Sequence, residues 1–325
     1  MNMLITCLAE CLIDFIPIPS EGENVNFHIS SGGAILNVAV GLARLGNQTA
    51  FAGKVANDFF GRYLRSRMES EGIDTRFLSY TSGAKSTLAF AMMTESGPAF
   101  TFYGDGAADT LLTMADLPQM LFAETRIMHF GSTSLLRGTT PETILQAAEF
   151  VKGRVLLSFD PNIRPDLIQD ESHYRLLLQR AFALADVVKM SDVDLAWIAP
   201  GLSCEQAIQN LLTQGAQLVV ITRGGQGVIA GLANAPEVLT EVPAFPVDVV
   251  DTVGAGDSFC AGLLSQLAQR EGPVDHLLAL SNQELRAMLY FASGVSALNC
   301  MKAGANPPRR AEVERFLLQS QAMQA

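Results

Sequence analysis

The sequence predicts an α/β fold: a mostly parallel central sheet covered by helices on both faces, with a small β-sheet standing apart from it. Three observations carry this reading. From Ile127 onward short apolar runs alternate with stretches of helical period, two hairpin patterns lie in the first third of the chain, and polar and glycine residues gather where the apolar runs end. Strands alternating with helices imply parallel pairing buried on both faces. Ligands in open sheets of this kind bind outside the carboxyl ends of the strands.

Taken in order, Leu4 to Leu8 is a short buried-type strand. Leu12 to Ile18 and Asn24 to Ile29 flank Pro19-Ser20-Glu21-Gly22-Glu23, which is turn chemistry, so the two runs pair. Gly33 to Leu45 has helical spacing, with Leu36, Val40 and Ala43 on one stripe, and stops at Gly46. Thr49 to Val55 follows as a strand. Ser86 to Thr94 and Ala99 to Tyr103 form the second hairpin around Glu95-Ser96-Gly97-Pro98. Strands are then expected at Ile127 to Phe130, Val155 to Phe159, Asp186 to Met190 and Leu218 to Thr222, separated by helices over Thr140 to Lys152, Ser172 to Leu184 and Ser203 to Thr213. Phe245 to Val250 reads as a strand that hands over to a helix from Ser258 to Arg270, with Phe259, Leu263, Leu264 and Leu267 on one stripe. No internal repeat or linker interrupts the pattern, so residues 1–325 read as one domain.

Composition narrows the function classes. A chain of 325 residues with 49% hydrophobic content builds a substantial core. Its net charge of -11 argues against nucleic acid or an anionic membrane as the main partner, since both need a positive field. Five cysteines, at 7, 11, 204, 260 and 300, form neither a disulfide framework nor a zinc spacing, which points to the cytoplasm. The apolar start is interrupted by Glu10 and Asp14 and lacks a basic leader, so it reads as a strand and not as a signal peptide; no run reaches membrane-spanning length.

The chemistry concentrates at Asp251-Thr252-Val253-Gly254-Ala255-Gly256-Asp257-Ser258-Phe259, where a strand meets a helix. The first NH groups of a helix have no partner and carry partial positive charge, so an anion is favoured there. Gly254 and Gly256 let the backbone approach a phosphate closely. A carboxylate at Asp257 would repel a permanently bound phosphate, which suggests a proton acceptor beside a transferring phosphoryl group. Two plainer readings stand beside it: a helix-start acid, and a dinucleotide fingerprint, weakened by Phe259 at its third small position.

This nine-residue run, followed by Ala261-Gly262, resembles the second signature of the ribokinase-like (PfkB) sugar kinases. Ser31-Gly32-Gly33-Ala34-Ile35-Leu36-Asn37 resembles the first signature of that family. On residue chemistry alone it is either a capped turn or a neutral-ligand site, with Asn37 offering donor and acceptors. Asp14, an acid among apolar residues, matches the Leu-Ile-Asp-Phe segment that supplies the sugar-binding acid in fructokinase-like members, although their Gly-Glu lead-in is Ala9-Glu10 here. Thr222-Arg223-Gly224-Gly225-Gln226-Gly227 resembles the nucleotide-phosphate loop and is also compatible with a hairpin turn to Val228 to Ala230. Lys189-Met190-Ser191-Asp192-Val193-Asp194 resembles the nucleotide segment near Mg²⁺; here Asp194 suits a water-bridged role, and capping by Ser191 and Asp192 is the alternative. Asp160-Pro161-Asn162-Ile163-Arg164-Pro165 is close to the pattern of fructokinases and 2-keto-3-deoxygluconate kinases, or an ordinary turn. In Thr101-Phe102-Tyr103-Gly104-Asp105, many relatives carry Arg after the Tyr, so Gly104 tilts the choice toward a neutral sugar. Asn299 to Pro307 resembles the late loop beside the adenine and a monovalent cation.

The resemblance implies a ribokinase-like domain whose lid is formed by two segments, about 12–30 and 86–104. It implies that Gly254, Ala255, Gly256 and Asp257 act in catalysis; that Asp14, Gly32, Gly33, Asn37, Tyr103 and Arg164 bind substrate; and that Lys189, Ser191, Thr222, Arg223, Gly225 and Gly227 bind the nucleotide. ATP and Mg²⁺ are the implied cofactors, with Asp194 near Mg²⁺ through water and Asp251 beside a monovalent cation such as K⁺. The expected reaction is phosphorylation of fructose to fructose 6-phosphate, with a homodimer through the lid as a further expectation. Open alternatives are kinases for ribose, a nucleoside or 2-keto-3-deoxygluconate, a non-catalytic sugar sensor, and a nicotinamide dehydrogenase.

Overall fold

Apolar runs too long for a one-sided sheet become, in the structure, strands with helices against both faces. The structure, a computed structural model, describes residues 3–18, 25–94, 97–270, 277 and 279–324. The first part of the chain runs β1 (Leu4–Leu8), β2 (Leu12–Ile18), β3 (Asn26–Gly32), α1 (Ala34–Arg44), β4 (Thr49–Ala56), α2 (Phe59–Ser70), β5 (Asp74–Thr81), β6 (Leu88–Thr94) and β7 (Gly97–Tyr103). The middle runs α3 (Gln119–Glu124), β8 (Thr125–Gly131), α4 (Thr140–Val151), β9 (Leu156–Asp160), α5 (Glu171–Leu184), β10 (Val187–Ser191), α6 (Asp192–Ile198), α7 (Cys204–Thr213) and β11 (Leu218–Thr222). The last part is β12 (Val228–Leu232), β13 (Leu239–Val242), α8 (Ala255–Leu267), α9 (Asn282–Cys300) and α10 (Arg310–Gln324).

Nine strands form the main sheet in the order β13-β12-β11-β10-β9-β8-β1-β4-β5. All pairs from β11 to β5 are parallel, and β12 and β13 add an antiparallel margin. From β1 the chain builds outward through β4 and β5 on one side and through β8 to β11 on the other. The strand order therefore reverses at β1 and β8, and the crevice beyond their carboxyl ends is the place such sheets reserve for ligands. Successive side chains point to opposite faces: Ile5 and Cys7 join the layer with Leu36, Leu263 and Leu289, while Leu8 joins that with Phe130, Ile144 and Leu178.

The small sheet has the order β3-β2-β6-β7. Both expected hairpins pair antiparallel, and β2 and β6 join them in parallel. Phe15 stacks on Phe90 at 4.5 Å between ring centres, and Phe60 of α2 meets Phe15 edge-on at 5.9 Å, which seats this sheet on the main body. The turn expected at Pro19 to Glu23 and residues Glu95 and Ser96 of the second turn lie outside the described residues. Gly97 and Pro98, expected in that turn, begin β7 instead.

One expected strand is absent. Phe245 to Val250 stays outside the sheet, whose last strand ends at Val242. Pro246 removes a donor that a ladder over this stretch needs, and Pro243 removes another just before it; the Phe245 ring instead packs on Tyr290 and Phe316. Among the described residues, no helix is long and apolar enough to cross a membrane, and all five cysteines are free.

Candidate active site

The glycines at the start of α8 do what the spacing predicts. Gly254 is the N-cap with φ +74°, and a Cβ there would lie 2.6 Å from that of Ala305, so only glycine fits. The loop before it is held from two sides: Asp251 accepts from the NH groups of Val253 (3.0 Å) and Gly304 (2.8 Å), and Asn299 Nδ2 donates to Val253 O (2.8 Å). Ala255 NH already bonds Thr252 O at 3.1 Å, and Ser258 NH bonds Gly254 O at 2.8 Å. Of the expected set Gly254, Ala255 and Gly256, only the Ala255 donor is taken within the protein; those of Gly254 and Gly256 are left at this helix end, together with that of Asp257.

Asp257 is 8% exposed, and its Oδ2 accepts from Asn37 Nδ2 at 2.8 Å. This bond joins the two signature stretches across 220 residues of sequence. It is possible because α1 crosses α8 with almost no spacer: a Cβ on Gly41 would come within 2.7 Å of Ala261 Cβ. Burial raises the Asp257 carboxyl above its ordinary range, against the opposing pull of Asn37, Lys189 and Arg164.

Below the helix end lies a buried ion pair. Lys189 Nζ donates to Asp160 Oδ2 at 2.8 Å, with the two side chains 4% and 2% exposed. A Cβ on Gly256 would sit 3.0 Å from that Nζ, so the ammonium group rests directly under the nest. Burial pushes Asp160 up to about 6, and Asp160 holds Lys189 protonated against its own desolvation, leaving both charged at neutral pH. Neighbouring His129 is driven down to about 3 by burial first and Lys189 second; it stays neutral, bonded to Ser158 at 3.0 Å.

The first signature forms the facing wall. Gly33 is the N-cap of α1 with φ +112°. Gly32 pairs with Leu12, and a Cβ there would strike Asp14 Oδ2 at 2.1 Å, so its missing side chain is the space the carboxylate occupies. Burial raises Asp14 to about 6, and among the described residues no donor bonds its carboxylate. Tyr103 is 63% exposed at the edge of the small sheet, its ring edge-on to Phe90. Arg164 is exposed, bonds Asn162 Oδ1 at 2.7 Å and adds positive charge toward Asp257.

Several expected nucleotide or metal contacts are occupied by the protein itself. Ser191 and Asp194 form a reciprocal cap on α6: the Ser191 hydroxyl accepts from Asp194 NH and donates to its Oδ2 at 2.6 Å, while Oδ1 accepts from Ile163 NH at 2.7 Å. Asp194 is thus a capping acid, and Ser191 is its partner. Asp251 likewise has both oxygens engaged and orders its loop. Lys189, expected toward nucleotide, faces Asp160. Arg223 Nη2 meets Glu241 at 2.7 Å, and its Nε is buried without a partner. Thr222 Oγ1 leans on Met190 O at 3.3 Å. In the same loop Gly224 and Gly225 face open space, and Gly227, φ +86°, lies against Val242 O. An open glycine backbone at the end of β11 suits a polyphosphate better than the side chains around it.

Sequence reasoning missed three groups here. Asp160 was read as part of a family pattern or a turn, with no partner of its own, yet it ends β9 and anchors Lys189. Arg137 places its Nη1 3.3 Å from where a Gly104 Cβ would be, so the position lacking Arg in the sequence still has a guanidinium beside it. Glu10, seen only as a lead-in, is almost fully buried.

In sequence and fold the chain is similar to named carbohydrate kinases. The model of the pfkB family carbohydrate kinases matches residues 2–312. Fructokinase-1 of Oryza sativa subsp. japonica is 34% identical over 98% of this chain and 98% of its own. The fructokinase of Xylella fastidiosa with bound ATP superposes with a TM-score of 0.92 at 30% identity, covering 99% of this chain and 100% of that one. The fructokinase of Vibrio cholerae O395, in a form with fructose, ADP and calcium, gives 0.84 at 27% identity over 97% and 99%. The fold is ribokinase-like, and the chain belongs to the pfkB family of carbohydrate kinases.

Proposed function

We propose that this chain is an ATP-dependent fructokinase that transfers the γ-phosphoryl group to a primary hydroxyl of fructose, giving fructose 6-phosphate. The observation that carries this reading is the 2.8 Å bond from Asn37 to Asp257 at the amino end of α8. It puts an acid, a sugar-type amide and an anion-binding backbone within one small volume. Asp257 takes the proton from the hydroxyl, the oxygen forms its bond to the γ-phosphorus, and the bond from phosphorus to the bridging oxygen breaks as ADP leaves with the electron pair. The NH groups of Gly256 and Asp257, backed by Lys189, stabilise the charge on the transferring group. Asp14, Gly32, Gly33 and Asn37 bind the sugar, with Tyr103 and Arg164 closing its far side. The loop from Thr222 to Gly227 takes the nucleotide phosphates.

The small sheet acts as a lid over the sugar, its segments spanning about 12–30 and 86–104, and excludes water as a competing acceptor. Mg²⁺ enters as the companion of ATP, and no step is assigned to a metal held by Asp194. Asp251 fits loop ordering better than K⁺ binding. A homodimer through the lid follows from the exposed Ile16 and Ile18 of β2, and sedimentation of the full chain tests it. The free cysteines support a reducing compartment, the cytoplasm.

A second reading is favoured by one observation. Arg137 lies beside Gly104, 3.8 Å from Asp105, and a cation at this place would suit an acceptor bearing a carboxylate, such as 2-keto-3-deoxygluconate. Screening free sugars and sugar acids with Mg-ATP, reading ADP release, separates the two. Fructose is expected to give the highest kcat/KM, and preference for the acids would replace the first reading with the second.

A further inference from the structure

Where the chain crosses from the main sheet into the small one, a polar cluster is largely buried. We propose that Glu10 is a positioning residue for sugar binding: its carboxyl group ties the Gly33 turn, through Thr133 and one enclosed water, to Asp109 at the root of the small sheet. Glu10 follows β1 at the point where the strand order reverses, and Thr133 follows β8 on the other side of that crevice. Thr133 Oγ1 donates to Glu10 Oε1 at 2.7 Å. The same Oε1 lies 3.8 Å from where a Gly33 Cβ would be, and the Glu10 carbonyl 3.2 Å, so Glu10 forms the back of the sugar-side turn.

The other oxygen, Oε2, is buried without a partner. Glu10 lines a cavity of about 10 Å³ shared with Asp109, Thr110, Thr133, Ser134 and Arg137. That volume matches one water with several polar neighbours. Asp109 is the far anchor: its Oδ1 accepts from Thr87 Oγ1 at 2.6 Å, just before β6, and its carbonyl accepts from Thr140 Oγ1 at the start of α4. Ile13 NH bonds Thr87 O at 3.1 Å, closing the loop back to β2. Thr87 and the Gly104 to Asp109 crossing thus meet at the Asp109 carboxyl group, and Glu10 and Leu12 line the cavity beside it.

The protonation state follows from these surroundings. Two acids, Glu10 and Asp109, share the enclosure, and one guanidinium, Arg137, faces them; Cys11 on the same segment and Tyr174 of α5 face Glu10 as neutral groups. Burial, with Asp109 adding to it, lifts Glu10 to about 7, so it is carried as the neutral acid below that pH. A neutral carboxyl group donates from Oε2 to the water while still accepting from Thr133. Because the folded-state value is raised, stability is full at acid pH and is lost as pH climbs from the ordinary glutamate value of 4.5 through about 7.

Glu10→Gln and Glu10→Ala test this, measuring melting temperature and the KM for fructose between about pH 5 and pH 8. The wild-type melting temperature is expected to fall over the first half of that range and its KM to rise over the second. The KM change is up to about ten-fold for each unit by which sugar binding moves the Glu10 proton equilibrium. Glu10→Gln, a permanent neutral stand-in, is expected to flatten both profiles while keeping the wild-type KM at acid pH, whereas Glu10→Ala raises KM throughout with a smaller effect on kcat. The proposal is overturned if Gln is as impaired as Ala, or if Gln keeps the wild-type pH dependence. The KM arm rests on the fructose reading; the melting arm does not. Absence of fructose turnover alongside a flattened Gln melting profile therefore counts against the substrate and leaves Glu10 as assigned.

Discussion

Asp257→Asn separates a proton acceptor from a structural acid. Asparagine has the same shape and can still accept from Asn37 Nδ2 through its amide oxygen, so the 2.8 Å link between α1 and α8 survives. What disappears is the ability to take a proton, a contribution of about 10²- to 10⁴-fold in rate for a positioned general base. Stability moves the other way. The Asp257 pKa is raised by burial, so the neutral form is favoured in the fold and ionising the carboxyl group is a cost. That cost grows as pH rises from the ordinary aspartate value of 3.8 through the raised one, and asparagine never incurs it. The variant should therefore melt at or above the wild-type temperature at pH 7, and the difference should vanish in acid. Coupled ADP release gives kcat and titration calorimetry gives fructose affinity. Turnover within about ten-fold of wild type would refute the assigned role, and equal loss of fructose binding would show that Asp257 holds the sugar and not the proton.

Three further outcomes follow. Asp14→Asn should raise the KM for fructose by about ten-fold or more, the value of hydrogen bonds to a buried carboxylate, with kcat little changed; steady-state kinetics should also show the acid limb of kcat/KM near pH 6 displaced, because sugar binding is lost as Asp14 protonates through about 6. Lys189→Met leaves Asp160 buried and unpaired at a cost of about 3 kcal/mol, reduced by whatever protonation of Asp160 recovers; denaturant unfolding of Lys189→Met beside the double variant Lys189→Met/Asp160→Leu should show the second change restoring much of that loss. Asp194→Ala should lower stability by about 1 kcal/mol through the lost cap on α6 and leave the Mg²⁺ concentration for half-maximal activity unmoved; a large shift in that concentration would reinstate Asp194 as a metal-side residue.

What the sequence showed and hid follows from the range of each interaction. Strands β8 to β11 were legible because parallel strands buried on both faces need unbroken apolar runs, and the start of α8 because Gly254 must adopt a left-handed backbone. Helix α2 gave no sign, since only Gly61, Leu64 and Met68 are buried along it, and α9 blurred its stripe by burying small residues such as Ala292, Ser293 and Gly294. The strand expected after Phe245 was lost to two prolines whose effect an apolar count does not register. In the site, the Ser191 to Asp194 cap was written in its local spacing but competed with a family reading. The pairs Asn37 with Asp257 and Lys189 with Asp160 cross 220 and 29 residues, and no local pattern announces either.

The charge balance around α8 ties these pieces into one argument. A chain with a net charge of -11 must hold a polyanion, yet two of its nearby cations are already answered, Lys189 by Asp160 and Arg223 by Glu241, which leaves Arg164. Side chains alone therefore leave little net attraction for a phosphoryl group, and the backbone donors of the helix end become decisive. Before nucleotide arrives, Asn37, Lys189 and Arg164 draw the buried Asp257 toward its ionised form, against the burial that opposes it. As negative charge builds on the transferring group, Asp257 gives up its own charge by accepting the hydroxyl proton. Proton transfer thus removes one negative charge from the carboxylate as charge builds on the phosphoryl and leaving oxygens. That explains why an acid can stand beside an anion-binding turn without defeating it.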